Sequence, residues 1–184
     1  MIFKIPLCNS QASGQLRNLD LSKNKIPGIP AGTLAKFKAM KNLNLSQNRI
    51  TSLHDELGQL IKLEHLNMSG NLLTAIPGSI AQCRLLREVN LSGNKLSHFP
   101  PALLQLKKVE SVDLSANSIT ALPEDMAGFS GTELNLSQNQ IAALPASLAG
   151  ASRLKTLRVE ENCLQVCKTK NEKSKNRTNV FFSD

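Results

Sequence analysis

Leu16-Arg17-Asn18-Leu19-Asp20-Leu21-Ser22-Lys23-Asn24, Met40-Lys41-Asn42-Leu43-Asn44-Leu45-Ser46-Gln47-Asn48 and Leu63-Glu64-His65-Leu66-Asn67-Met68-Ser69-Gly70-Asn71 are three copies of one pattern, L-x-x-L-x-L-x-x-N. Residues 86–94, 109–117, 131–139 and 154–162 continue it. The closing asparagines stand at 24, 48, 71, 94, 117, 139 and 162, which are 24, 23, 23, 23, 22 and 23 residues apart. A period of this size marks a chain built from small units that cannot bury their apolar faces alone and stack to form one continuous core. The seven copies define a domain over residues 16–164, with an N-terminal flank (1–15) and a basic polar tail (165–184).

Each position in the pattern has a physical task. Leu19 and Leu21 lie two apart, so on an extended chain both point to one face. Leu43/Leu45, Leu66/Met68, Val89/Leu91, Val112/Leu114, Leu134/Leu136 and Leu157/Val159 repeat the pair. Stacking joins these pairs into one parallel sheet with a buried face. The asparagine that follows ends the strand, and its amide is expected to satisfy backbone groups of its own turn and of the neighbouring repeat, as a ladder. On the return path, Leu57-x-x-Leu60-x-x-Leu63 and Leu103-x-x-Leu106-x-x-Val109 carry a three-residue apolar spacing that suits short helical or 3₁₀ segments. Ile76-Pro77, Phe99-Pro100, Leu122-Pro123 and Leu144-Pro145 precede those segments, and proline there keeps the chain out of the sheet. The predicted fold class is α/β: a solenoid with a curved parallel sheet on its concave face and short helical or 3₁₀ segments on its convex face.

The pattern resembles the leucine-rich-repeat family. Its 23-residue period and Ile/Leu-Pro step are similar to the intracellular class that includes the Ras-suppressor, Shoc-type and LAP scaffold proteins. The resemblance implies a non-enzymatic module that binds another protein on its concave face, in intracellular signalling or complex assembly. A regulatory subunit directing a phosphatase or a small-GTPase pathway is a second role it implies. Some relatives begin Met-Gly and can be myristoylated, whereas Met1-Ile2 offers no such signal. The tail after Leu164 shows no repeat and too little apolar content to offset its ordering entropy, so it is expected to be disordered sequence from a truncation, an alternative exon or a gene-model error. The last repeat would then be frayed, or covered by the tail or a partner.

The formal net charge of +8 raises nucleic acid or an anionic membrane as partners until the charges are located. Four columns of strand residues face outward. One lies between the buried pair (Asp20, Asn44, Asn67, Asn90, Asp113, Asn135, Arg158) and one after it (Ser22, Ser46, Ser69, Ser92, Ser115, Ser137, Glu160). A third precedes the pair (Asn18, Asn42, His65, Glu88, Ser111, Glu133, Thr156), and the fourth lies beside the asparagine (Lys23, Gln47, Gly70, Gly93, Ala116, Gln138, Glu161). Only Lys23 and Arg158 are basic, against the acidic Asp20, Glu88, Asp113, Glu133, Glu160 and Glu161. The positive charge lies instead before the strands (Arg17, Lys41, Arg87, Lys155), on the return segments (Lys36, Lys38, Lys62, Lys107, Lys108) and in the tail (Lys168, Lys170, Lys173, Lys175, Arg177). A nucleic-acid groove combines clustered cations with stacking aromatics, and this face has neither. RNA or membrane contact is left to the tail. The candidate protein-binding residues are Asp20, Asn44, His65, Asn67, Glu88, Asn90, Asp113, Glu133, Asn135 and Arg158.

No cofactor or metal site is expected. His54 and His98 fall after strands and His65 on the strand face, so repeat geometry separates them. Cys163 and Cys167 lack a second pair to complete a zinc site, and Cys83 falls in an apolar return column with Phe37, Leu60 and Leu106. The Asn-x-Ser sequons at Asn44, Asn67, Asn90 and Asn135 follow from the strand pattern. Residues 1–7 are too short an apolar stretch for a signal peptide, and no stretch approaches the roughly 18 apolar residues of a membrane span. A cytoplasmic monomer is the expected state.

Overall fold

The computed structural model describes residues 14–164 and 179–181. Eight three-residue strands form one sheet in chain order: β1 (Asn18–Asp20), β2 (Asn42–Asn44), β3 (His65–Asn67), β4 (Glu88–Asn90), β5 (Ser111–Asp113), β6 (Glu133–Asn135), β7 (Thr156–Arg158) and β8 (Asn179–Phe181). Every neighbouring pair is parallel and in register, with Leu19 beside Leu43, Leu43 beside Leu66 and Leu66 beside Val89. The central residue of each of β1 to β7 is buried. The apolar pairs of the repeats therefore make one continuous core face, as their spacing predicts.

Return segments run as 3₁₀ turns at Leu34–Lys36, Asp55–Gln59, Gly78–Gln82, Pro101–Gln105 and Ala146–Gly150. Pro77, Pro100 and Pro145 sit at the start of three of them in extended conformation, at φ of −64°, −69° and −70°. The three-residue apolar spacing matches three residues per turn, so Leu57, Leu60 and Leu63 all reach the core. Cys83 is buried in the same column as Phe37, Leu60, Leu106 and Phe129. Its Sγ lies 3.2 Å from the Leu57 carbonyl, to which it donates, and burial raises its thiol pKa to about 11.

The asparagine ladder is complete from Asn48 to Asn162. Asn94 is typical: its Nδ2 donates to Met68 O and Leu91 O at 3.0 Å each, and its Oδ1 accepts the Leu73 N–H at 3.0 Å. Asn48, Asn71, Asn117, Asn139 and Asn162 repeat this geometry one layer apart. The residue before each asparagine lies in the left-handed region, with φ between 52° and 63° at Lys23, Gln47, Gly70, Gly93, Ala116, Gln138 and Glu161. That turn lets its N–H reach the serine carbonyl of the next repeat, as from Gln47 to Ser69 (2.7 Å) and Gly70 to Ser92 (2.8 Å). Only two of the seven are glycine, so five repeats hold a strained backbone residue for the sake of that bond.

One copy departs from the pattern. Gly131 occupies the place where other repeats carry Leu16, Met40, Leu63, Leu86, Val109 or Leu154, so 131–139 is not a full copy. The ring of Phe129 fills the space: a Cβ on Gly131 would stand 2.6 Å from Phe129 Cζ. This is the repeat whose spacing is 22 residues. A single residue, Ser130, separates Phe129 from Gly131, where two separate Leu106 from Val109.

The N-terminal flank up to residue 13, and 165–178 and 182–184 of the tail, lie outside the described residues. The expectation of a disordered tail therefore falls largely outside them, while Asn179–Phe181 form β8 against β7.

Candidate functional site

The outward side chains of the sheet line a depression of ≈ 600 Å³ over β2 to β6. It brings together Asn44, His65, Asn67, Glu88, Asn90, Asp113 and Glu133 of the predicted set. Asn135 and Arg158 line a smaller continuation toward the C-terminal end with Thr156. Asp20 borders neither.

The column between the buried pair has a second task. In six repeats its side-chain oxygen accepts the backbone N–H of the serine two residues on: Asp20 from Ser22 (2.8 Å), Asn44 from Ser46 (3.1 Å), Asn67 from Ser69 (3.0 Å), Asn90 from Ser92 (3.0 Å), Asp113 from Ser115 (2.9 Å) and Asn135 from Ser137 (3.1 Å). These are Asx turns, which bend the chain out of the strand and satisfy an N–H that the ladder does not use. The Ser69, Ser92 and Ser115 hydroxyls donate to the same oxygens at 2.8, 2.7 and 2.6 Å. Six of the ten candidates thus hold turns. The seventh repeat puts Arg158 and Glu160 at these positions, and the Glu160 carboxylate instead accepts from the Ser137 hydroxyl.

His65, Glu88 and Glu133 belong to the column before the pair, where no turn depends on them. His65 Nδ1 lies 3.0 Å from Glu88 Oε2, with the Glu88 side chain exposed and that of His65 half-buried. Beneath this column runs a row of opposite charges that the sequence reading only half identified. Lys41 pairs with Glu64 at 2.6 Å and Arg87 with Glu110 at 2.5 Å, one repeat apart. The pre-strand cations Lys41 and Arg87 are therefore neutralised in place. Glu110 and Thr132 also line the depression, and neither is in the predicted set, which draws only on the outward strand columns. The alternation Lys41, Glu64, Arg87, Glu110 was the readable signal.

The hydrogen bond from Lys41 holds the Glu64 carboxyl below the usual carboxylate range, with smaller contributions from the charges on Lys41, His65 and Arg87. Asp20 is lowered chiefly by the Ser22 N–H, then by the Ser22 hydroxyl, with lesser help from Asn44 and Lys23. These shifts have structural causes. Among the described residues no three His, Cys, Asp or Glu side chains gather as a metal site would require, and no helix is long and apolar enough to cross a membrane.

A leucine-rich-repeat family model matches the chain at residues 14–73, 38–96 and 84–141. The chain belongs to the leucine-rich-repeat family. Among solved structures it is similar to a leucine-rich-repeat protein of Leptospira interrogans, with 32% identity, a TM-score of 0.77 and coverage of 82% of this chain. It is also similar to the ectodomain of the plant membrane receptor kinase GASSHO1/SCHENGEN3 from Arabidopsis thaliana, in complex with Casparian strip integrity factor 2 (30% identity, TM-score 0.73, 82% coverage). The chain spans 38% and 19% of the lengths of those two structures. Both are leucine-rich-repeat structures, and the fold of this chain is a leucine-rich-repeat solenoid.

Proposed function

We propose that this leucine-rich-repeat chain is a non-enzymatic protein-binding module that takes its partner in the depression over β2 to β6. It acts as a cytoplasmic monomer in intracellular signalling or complex assembly. The observation that carries the reading is the split within the sheet face. Asn44, Asn67, Asn90 and Asp113 serve the turns, whereas His65, Glu88 and Glu133 stand over the depression with no turn to hold. Side chains that the fold does not need, gathered on one concave surface, suit recognition of another chain. The similar plant ectodomain, whose structure is a complex with Casparian strip integrity factor 2, supports a binding role for this fold.

The 23-residue period and Ile/Leu-Pro step support a reading of the chain as one of the Ras-suppressor, Shoc and LAP-like class. Its last repeat, residues 154–164, resembles that of leucine-rich repeat-containing protein 57. The test is a comparative pull-down from cell lysate with the full chain and with Glu88→Arg/Glu133→Arg, which leaves every turn acceptor intact. Proteins held by the first and lost by the second, at unchanged circular dichroism, support the depression as the site. Co-purifying phosphatase or GTPase activity would make the module a regulatory subunit of that pathway. Identical recoveries from both baits sink the reading, and salt-sensitive retention of RNA or anionic vesicles by both would move attention to the basic tail.

A further inference from the structure

We propose that β8 is the strand of an eighth repeat that closes the C-terminal end of the solenoid. The register carries the inference. Thr156 pairs with Asn179, Leu157 with Val180 and Arg158 with Phe181, an offset of 23 residues (179 minus 156). The same offset separates Asn42 from His65, His65 from Glu88, Glu88 from Ser111 and Glu133 from Thr156. Residues that merely happened to lie on a free edge would have no reason to arrive at the period of the solenoid, parallel and in step. Val180 takes the central position, which holds a buried apolar residue in all seven preceding strands.

Burial at the two ends points the same way. Leu157 and Val159, in the last complete repeat, are 1% and 2% exposed, whereas Leu19 at the other end is 8% exposed and Leu21 only half-buried. The closure is confined to the strand side. On the return side Leu148 is half-buried, although Leu57, Ile80, Leu103 and Met126 in the same column are fully buried. A strand in register on β7 covers the strand side of the last complete repeat, as the edge of a solenoid requires. It also removes β7 as an open edge for pairing with other chains.

Hydrogen exchange on the full chain tests this. At earlier junctions the residue after a strand donates its N–H to the last residue of the next strand, Leu114 to Asn135 and Leu136 to Arg158, each at 2.8 Å. The same step sets the Val159 N–H against the Phe181 carbonyl. We expect Val159 to exchange roughly 100-fold slower than a peptide amide. In Val180→Asp it should accelerate at least about tenfold while Leu91 and Leu114 keep their protection. Free-peptide exchange at Val159 in the native chain, or an unchanged rate in Val180→Asp, overturns the proposal. Should Val180→Asp lose protection everywhere, Val180→Ala replaces it with the same criteria at Val159, Leu91 and Leu114.

Discussion

Phe129 and Gly131 are a matched pair: the ring of one occupies the volume that a side chain on the other would need, with 2.6 Å between Phe129 Cζ and a Cβ placed on Gly131. A real Cβ does not approach a ring so closely, and Phe129 is buried on all sides. Gly131→Ala should therefore destabilise the chain by about 1–3 kcal/mol through overpacking. The sharper test is the double change. Phe129→Leu alone leaves a void and costs stability, but in the Gly131→Ala background it makes room for the methyl. A favourable coupling of about 1 kcal/mol or more in a urea-denaturation cycle is expected, and strict additivity would dissolve the pairing.

How much of this could be read from residues alone divides by kind. The strands, the core columns, the proline positions and the asparagine ladder were legible because each depends on a residue type that recurs at a fixed place. The irregular repeat was legible only as a break, Gly131 standing where the motif opens on an apolar residue, and only the space beside it shows that Phe129 substitutes. The Asx turns were missed for a different reason. Asn67 and Ser69 were each read as surface, although an Asx followed two residues later by Ser is itself a turn signature. β8 was invisible because Arg177 replaces the leucine that opens the motif. Of the candidate surface, the sequence named seven residues that the depression gathers, but it could not say which of them the fold already uses.

Ala116 sits at φ 52° and Gly93, one repeat earlier in the same column, at φ 63°. An L-residue in that region costs roughly 1–2 kcal/mol, partly offset by the roughly 0.5–1 kcal/mol that glycine adds to the entropy of the unfolded chain. Ala116→Gly should thus stabilise the protein by about 0.5–1 kcal/mol. Gly93→Ala should do the reverse by a similar amount, since its Cβ would stand in ordinary contact with the Gly70 backbone at 3.4 Å and only the positive φ opposes it. Thermal melts of the two variants should move in opposite directions. Equal shifts of one sign would mean that the turn, not the residue, sets the strain.

Cys83 offers a pH-dependent test. Its thiol is held near pKa 11 by burial, against 9.0 when exposed. Below pH 9 both states carry a neutral thiol and nothing is lost. Between pH 9 and 11 the unfolded chain ionises first, so stability falls as pH rises, by about 2–3 kcal/mol in full. Cys83→Ala should be less stable at pH 7 because it leaves a cavity, yet it should show a flatter decline above pH 9. Native-state labelling at pH 8 should also modify the exposed Cys163 promptly and Cys83 only as fast as the core opens. Prompt labelling of Cys83 would contradict its burial.

The ladder makes the most specific prediction, because oxygen and nitrogen on one side chain do different work. In Asn94 the Oδ1 accepts from Leu73 N–H while the Nδ2 donates to the carbonyls of Met68, Leu91 and Ser92. Asn94→Ala strands these buried groups and should cost about 3 kcal/mol. Asn94→Asp keeps the shape and the acceptor but, ionised, turns a second oxygen toward three carbonyls, so at pH 7 it should be at least as damaging as alanine. Protonation restores one donor. The folded-state pKa of the new carboxyl is thereby raised above its unfolded value, and its penalty should shrink as pH falls through the folded pKa. Urea midpoints of the two variants measured from pH 7 down to pH 4 should therefore diverge, with Asp recovering relative to Ala. Parallel curves would mean that the amide nitrogen contributes nothing to holding adjacent repeats together.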